Sequence, residues 1–315
     1  MAWLFALQFA LPLVFIGWIA IAPARSLFGF WVQVVATASG LLAAGLTGLW
    51  LLPPWWAPYA FGCVLLLAIF IGLRRRRPFA AVRPSHVGGW ALAAAYLVLG
   101  AWAADRAATA LAGRAAPSAR LAPLAFPLAS GTYLVVNGGN TLSINAHLMT
   151  LDAAVPRFRA FRGQSLGIDI VQVDRLGLRA TGVQPTRPDA YRIYGSPVFA
   201  PCAGEVVVAS DGLPDRQVPQ VDRAHLAGNH ALLRCADADV LLGHFKPGSL
   251  QVTVGTRVRV GDRIGMVGNS GNTGEPHLHI QAQTRGTAAE PMSGEPLPMR
   301  LNGRYLVRND RVSVP

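Results

Sequence analysis

No Asp or Glu occurs before Asp105, and four apolar runs follow one another within that acid-free third of the chain. The first spans about Trp3 to Ala22 and stops at Pro23 and Arg25. A second, about Leu27 to Leu52, is closed by Pro53-Pro54-Trp55-Trp56. A third covers about Tyr59 to Leu73 and ends in Arg74-Arg75-Arg76-Arg77, and a fourth covers about Val87 to Ala104. Each approaches the roughly 20 apolar residues that cross a bilayer, the third being the shortest. Trp and Tyr near the run ends suit the membrane–water interface. A water-soluble fold has no use for such a segment, so residues 1–104 are expected to be a membrane region of about four helices. A three-span count stays open. A signal peptide is the rival for the first run, but no basic stretch precedes it and more membrane-like sequence follows directly.

The arginines set the expected orientation. The loop from Arg74 to Arg83 belongs in the cytoplasm under the positive-inside rule. Threading outward places the Arg25 loop inside, the Trp-rich loop outside, and everything after Asp105 on the extracytoplasmic side. Residues 105–127, rich in Ala, Pro and Arg, read as a linker, and residues 128–315 as a separate domain. The net charge of +12 rests almost wholly on scattered arginines, with Lys246 the single lysine, which speaks against a nucleic-acid partner. Cys202 and Cys235 fall in the exported part, where an oxidising compartment permits a disulfide; two free buried cysteines fit the sequence equally well.

From about Gly131 the texture changes to short apolar strands punctuated by turns, which predicts an antiparallel β fold without a clear helix. The stretch from Val252 through Val260-Gly261-Asp262 alternates in the manner of a hairpin. Near the end, a Gly/Asn-rich loop, Gly268-Asn-Ser-Gly-Asn272, runs into Pro276-His277-Leu278-His279-Ile280. On a strand, residues two apart share a face, so His277 and His279 are expected to point one way and Leu278 and Ile280 into the core. Neighbouring imidazoles suit a shared metal, or one ligand beside an acid/base group; a pair of surface histidines is the plainer alternative.

Gly167-Ile-Asp169-Ile170, Pro197-Val-Phe-Ala-Pro201, Gly204-Glu-Val206, Gly243-His244, Val260-Gly261-Asp262, Gly268–Asn272 and Pro276–His279 together resemble the M23 (LytM/lysostaphin-type) peptidases. These are zinc enzymes that cut peptide bonds in bacterial peptidoglycan. The resemblance covers roughly the last three-fifths of the chain and leaves out the membrane region. It implies a mainly-β, antiparallel-sheet peptidase domain, with Asp169 and His279 as zinc ligands and His244 and His277 as the acid/base pair. Catalytic zinc takes three protein ligands and keeps a position open, which suits such a set.

One position departs from the pattern. Where the family has a histidine four residues before the aspartate, this chain has Ser165, and a hydroxyl is a poor zinc ligand. Two readings follow. Either the site is degenerate and the domain binds without cutting, or His147 supplies the third ligand. Asn145-Ala-His147 resembles a subgroup of the family with an upstream Asn-x-His; an ordinary surface histidine is the alternative. The expected activity is a membrane-anchored zinc endopeptidase acting on peptidoglycan peptides. The rival is a wall-binding or hydrolase-regulating module. Asn145, Asn269, Ser270 and Asn272 are expected to contact substrate. His225 and His230 are expected at the rim or surface, and His86 outside the chemistry.

Overall fold

The structure, a computed structural model, describes residues 6–77, 79–286 and 289–315. Trp3, at the start of the first apolar run, and Pro78, in the basic loop, lie outside the described residues. The chain divides into two compact units, Met1–Ala112 and Gly113–Pro315.

The first unit is helical, with α1 (Leu11–Ile21), α2 (Leu27–Thr47), α3 (Ala57–Arg76) and α4 (Val87–Gly113). Three of these, α2 to α4, are long and apolar enough to cross a membrane, whereas the first apolar segment, Gln8–Ile21, is shorter. Ser26 caps α2 by accepting a hydrogen bond from the Gly29 amide at 3.1 Å. The arginines ending α3 turn to the carbonyls at the end of α1: Arg76 donates to Pro23 at 3.1 Å and Arg75 to Ile21 at 3.4 Å. Cations at a helix C-terminus are favoured by the aligned peptide dipoles. α4 continues past the boundary expected at Ala104, through Asp105 and Arg106 to Gly113. Ala-rich sequence has high helix propensity, which outweighs the two charges.

The second unit is mainly antiparallel sheet. β1 (Ala122–Leu124), β2 (Gly131–Asn137), β3 (Ile168–Val173), β4 (Pro197–Phe199) and β5 (Gly204–Ser210) come first. They are followed by β6 (His230–Cys235), β7 (Asp239–Gly243), β8 (Arg257–Val258) and β9 (Arg263–Met266). The last are β10 (Leu278–Gln283), β11 (Pro296–Leu297), β12 (Met299–Leu301) and β13 (Arg311–Val314). The large sheet runs β13-β2-β3-β10-β7-β6-β5-β8, with β11 also on β10, and β4-β9 and β1-β12 form separate pairs. β1, inside the stretch expected as linker, pairs in parallel with β12.

One face of β10 sends Leu278, Ile280 and Ala282 into a core shared with Val135, Ile170, Leu233 and Leu242. Each such Leu or Ile stabilises the fold by about 1.5–3 kcal/mol. The other face is polar yet buried: His279, Gln281 and Gln283 are at most 3% exposed. Two 3-10 segments, Ala146–Leu151 and Pro156–Leu166, are present where no helix is expected. Sequence periodicity misses them because they carry no apolar stripe at 3.6-residue spacing; Asn145 and Pro156 start them instead. The hairpin expected from Val252 to Asp262 does not form, since β8 pairs with β5, and β9, which follows it, pairs with β4. Cys202 and Cys235 are joined in a disulfide across a Cα separation of 6.1 Å.

Candidate metal centre

The site begins as a row across the sheet. In register, Asn137 sits opposite Asp169, Asp169 opposite His279, and His279 opposite Gly243, whose neighbour is His244. Central strands are the most constrained part of a sheet, so this row holds its side chains to fixed spacings. His279 Nδ1 lies 2.8 Å from Asp169 Oδ1. Gly167 leaves room for that imidazole, because a Cβ there would meet His279 Cε1 at 2.8 Å.

His147 enters from the 3-10 segment above the row. Its Nε2 lies 3.4 Å from Asp169 Oδ2, and its ring packs edge-on to His279 with centroids 4.9 Å apart. Donor atoms of His147, Asp169 and His279 all fall within 4.8 Å of one another, so the three can hold one metal ion. Donors around a tetrahedral zinc, at about 2.0–2.1 Å each, are themselves about 3.3 Å apart, close to these separations. Two imidazoles and a carboxylate also match the three-ligand sets of catalytic zinc.

Ser165 is fully buried and its hydroxyl is used inside the covering segments. It donates to the Arg162 carbonyl at 2.6 Å and pairs with the Thr150 hydroxyl at 2.8 Å. The serine therefore links the two 3-10 segments, one of which carries His147.

Two further histidines face this group. His244 adopts φ 65°, a left-handed backbone that few non-glycine residues take and that clusters at functional sites. Its Nδ1 donates to the Ser270 carbonyl at 2.9 Å, which leaves Nε2 with a lone pair. Burial, helped by His277 and His279, holds its pKa well below the ordinary histidine value. His277, with its ring 4.7 Å from that of His244, behaves oppositely. Burial opposes its charge, but the Asp169 carboxylate, with Nε2 at 3.4 Å, and the Glu275 carbonyl, 2.9 Å from Nδ1, raise its pKa. Burial lowers the His147 pKa to about 4, against the pull of Asp169, so that histidine is neutral near pH 7. Burial would raise Asp169, yet in the acid range where a carboxyl titrates the protonated His147 and His277 hold it well below the carboxylate range.

Three residues expected to touch substrate do not reach the surface. Asn145, Asn269 and Ser270 are each 0% exposed. Asn145 spends its amide on backbone carbonyls and on His147. Asn269 holds Arg216 O and accepts from Thr273, and Ser270 bridges Asn229 N and Phe245 O. They position the loop and its histidines; Asn272 alone is exposed. A pocket of about 410 Å³ beside this loop is lined by Arg187, Tyr194, Asp215, Arg216 and Lys246. His225 is exposed and bonded to Asp222, His230 starts β6 with Nδ1 on Gly228 O, and exposed His86 caps α4.

Several supports of the site were not anticipated. Arg308 donates to Asn137 Oδ1 at 2.7 Å, and Asn137 donates to Asp169 Oδ2 at 2.8 Å. A buried Arg179–Glu275 pair at 2.8 Å secures the turn before His277. Gln281 faces His279, as its period-2 spacing on the strand would indicate.

Residues 189–291 match the model of Peptidase family M23, a segment that holds His244, His277 and His279 and begins after His147 and Asp169. The second unit is thus a mainly antiparallel-β M23 domain following an N-terminal set of apolar helices. No protein with a curated description matches the chain. Among solved structures, the catalytic domain of lysostaphin from Staphylococcus simulans is 22% identical, over 39% of this chain and 71% of that one, at TM-score 0.26. A zinc-containing peptidase from Vibrio cholerae is 21% identical over 42% of this chain and 50% of that one, at TM-score 0.24. A SpoIIQ–SpoIIIAH pore-forming complex is 15% identical over 56% of this chain and 93% of that one, at TM-score 0.31.

Proposed function

We propose that the chain is a membrane-anchored, zinc-dependent endopeptidase whose C-terminal domain faces the cell wall and hydrolyses peptidoglycan peptides. The observation that carries this reading is the convergence of His147, Asp169 and His279 on one point, with His244 and His277 alongside. His147 Nε2, an Asp169 oxygen and His279 Nδ1 would hold the zinc. When bound, zinc supplies Lewis acidity that activates water and polarises a carbonyl. His244, neutral and with Nε2 free, suits the base that takes the water proton. His277, with its raised pKa, suits the donor that steadies the developing oxyanion and hands a proton to the leaving amine. The pocket at Arg187–Lys246 and exposed Asn272 would line the groove along which an extended peptide lies.

The apolar helices support anchoring, and the placing of the basic Arg74–Arg77 cluster beside the α1 end supports a shared cytoplasmic side for these two loops. The bacterial inner membrane, with the domain in the periplasm, is the location this orientation gives. A second reading, a wall-binding module without activity, draws on Ser165 in place of the usual ligand.

Incubating the detergent-purified chain with peptidoglycan, with and without zinc, tests the proposal by release of new amino termini. Release should require zinc and fall about 10²–10⁴-fold in His244→Ala while that variant keeps its metal. Full metal occupancy without release from any peptidoglycan would support the binding module instead.

A further inference from the structure

We infer that three carboxamides, Asn137, Asn145 and Gln281, form an outer shell that presets His147 and His279 in opposite tautomers, each with its lone pair turned to Asp169. The inference rests on the reading that these three residues hold a metal. An amide can be turned end for end, so its orientation is informative only where another partner fixes it. Here each one is fixed by a group that can act in one way only.

Gln283 Nε2 donates to the Pro291 carbonyl at 2.9 Å, and a carbonyl can only accept. That leaves Gln283 Oε1 to accept from Gln281 Nε2 at 2.8 Å, and turns Gln281 Oε1 to His279 Nε2 at 3.0 Å. An oxygen there requires the proton of His279 on Nε2, so Nδ1 presents its lone pair to Asp169 Oδ1. Asn145 Nδ2 donates to the carbonyls of Gly139 and Gly167 at 3.0 and 3.2 Å, so its oxygen faces His147 Nδ1 at 3.0 Å. The Gly167 carbonyl lies on the same nitrogen at 3.3 Å. His147 therefore carries its proton on Nδ1 and presents Nε2 to Asp169 Oδ2. For Asn137, the partner is the Arg308 guanidinium, which only donates; its hold on Oδ1 turns Nδ2 to Asp169 Oδ2.

The consequence is a point where two imidazole lone pairs and a carboxylate converge with no proton assigned between them. A divalent cation resolves that repulsion. Partners of this kind set the tautomer and ring orientation of metal-binding histidines, and their loss costs about 10–100-fold in metal affinity. A carboxylate would accept from an imidazole equally well but could not also donate. Each amide here uses both ends, which accounts for amides at all three places. Asp169 remains the only carboxylate within the group among the described residues.

The test uses the full-length chain in detergent, labelled with 15N-histidine and stripped with a chelator. Long-range 1H–15N spectra should show one histidine of the centre protonated at Nδ1 and another at Nε2, assigned by loss of signal in His147→Ala and His279→Ala. Zinc affinity by chelator competition should weaken about 10–100-fold in Gln281→Met and stay within a few-fold in Gln281→Glu, which keeps the acceptor. The same tautomer at both histidines overturns the inference, as does wild-type affinity in Gln281→Met. Should Gln281→Met fail to fold, the wild-type spectra decide alone. A wild-type chain that takes up no zinc defeats the metal reading, whereas zinc binding with matching tautomers defeats only the shell.

Discussion

At the scale of single residues, the five side chains of the centre divide by protonation. Burial lowers the pKa of His147 and His244, while Asp169 raises that of His277. This has a consequence for the metal-free chain. An unfolded histidine takes up a proton near pH 6.5, but folded His147 does so only near a pKa of about 4, and His244 also resists. As pH falls from about 6.5 towards 4, the unfolded state therefore binds more protons and stability drops. His277, with a raised pKa, works the other way: its contribution is full below pH 6.5 and is lost as pH rises through its folded value. Burial lowers the His230 pKa as well, so three histidines stand against one, and the chelator-treated chain should melt at a lower temperature at pH 5 than at pH 7; a higher melting temperature at pH 5 would contradict these shifts. Residue identities single out Asp169, His244, His277 and His279 as candidates, because a metal or proton site needs those types, and the structure brings them side by side. Sequence could not show that Asn145, Asn269 and Ser270 are buried, since an Asn that steadies a ligand and one that touches a substrate look alike until packing is known.

At the scale of elements, the strands were readable and their partners were not. Alternation places Leu278 and Ile280 in the core as expected, but β8 and β9 join strands remote in sequence, which no local pattern encodes. The 3-10 segment that carries His147 and the one packed on it are unmarked in the sequence for the same reason, being held by caps and by contacts such as Ser165–Thr150. The loop before His277 depends on a comparable contact. Arg179 and Glu275 form a largely buried pair, with side chains 4% and 14% exposed, and the Glu275 carbonyl accepts from His277. Removing one partner of such a pair typically costs about 3–5 kcal/mol, because the other charge is left buried. Arg179→Met should destabilise the C-terminal unit by about that amount, and Arg179→Met/Glu275→Met by less, as read from denaturant midpoints. Equal losses in the single and double variants would show that the pairing is not what matters.

At the scale of the whole molecule, the acid-free apolar third and the β-rich remainder correspond to two compact units. The two environments select different compositions; the end of α4 and the strand Ala122–Leu124 lie where charges and prolines interrupt an Ala-rich stretch and no apolar pattern marks a boundary. In the proposed zinc site it is His147, and not Ser165, that completes the ligand set with Asp169 and His279. Metal analysis of the detergent-purified chain beside His147→Ala and Ser165→Ala separates the two residues. One zinc per chain is expected in the wild type and in Ser165→Ala, and loss of zinc in His147→Ala. A wild-type chain without stoichiometric zinc, or a His147→Ala variant that keeps it, would show that these three residues do not form the site.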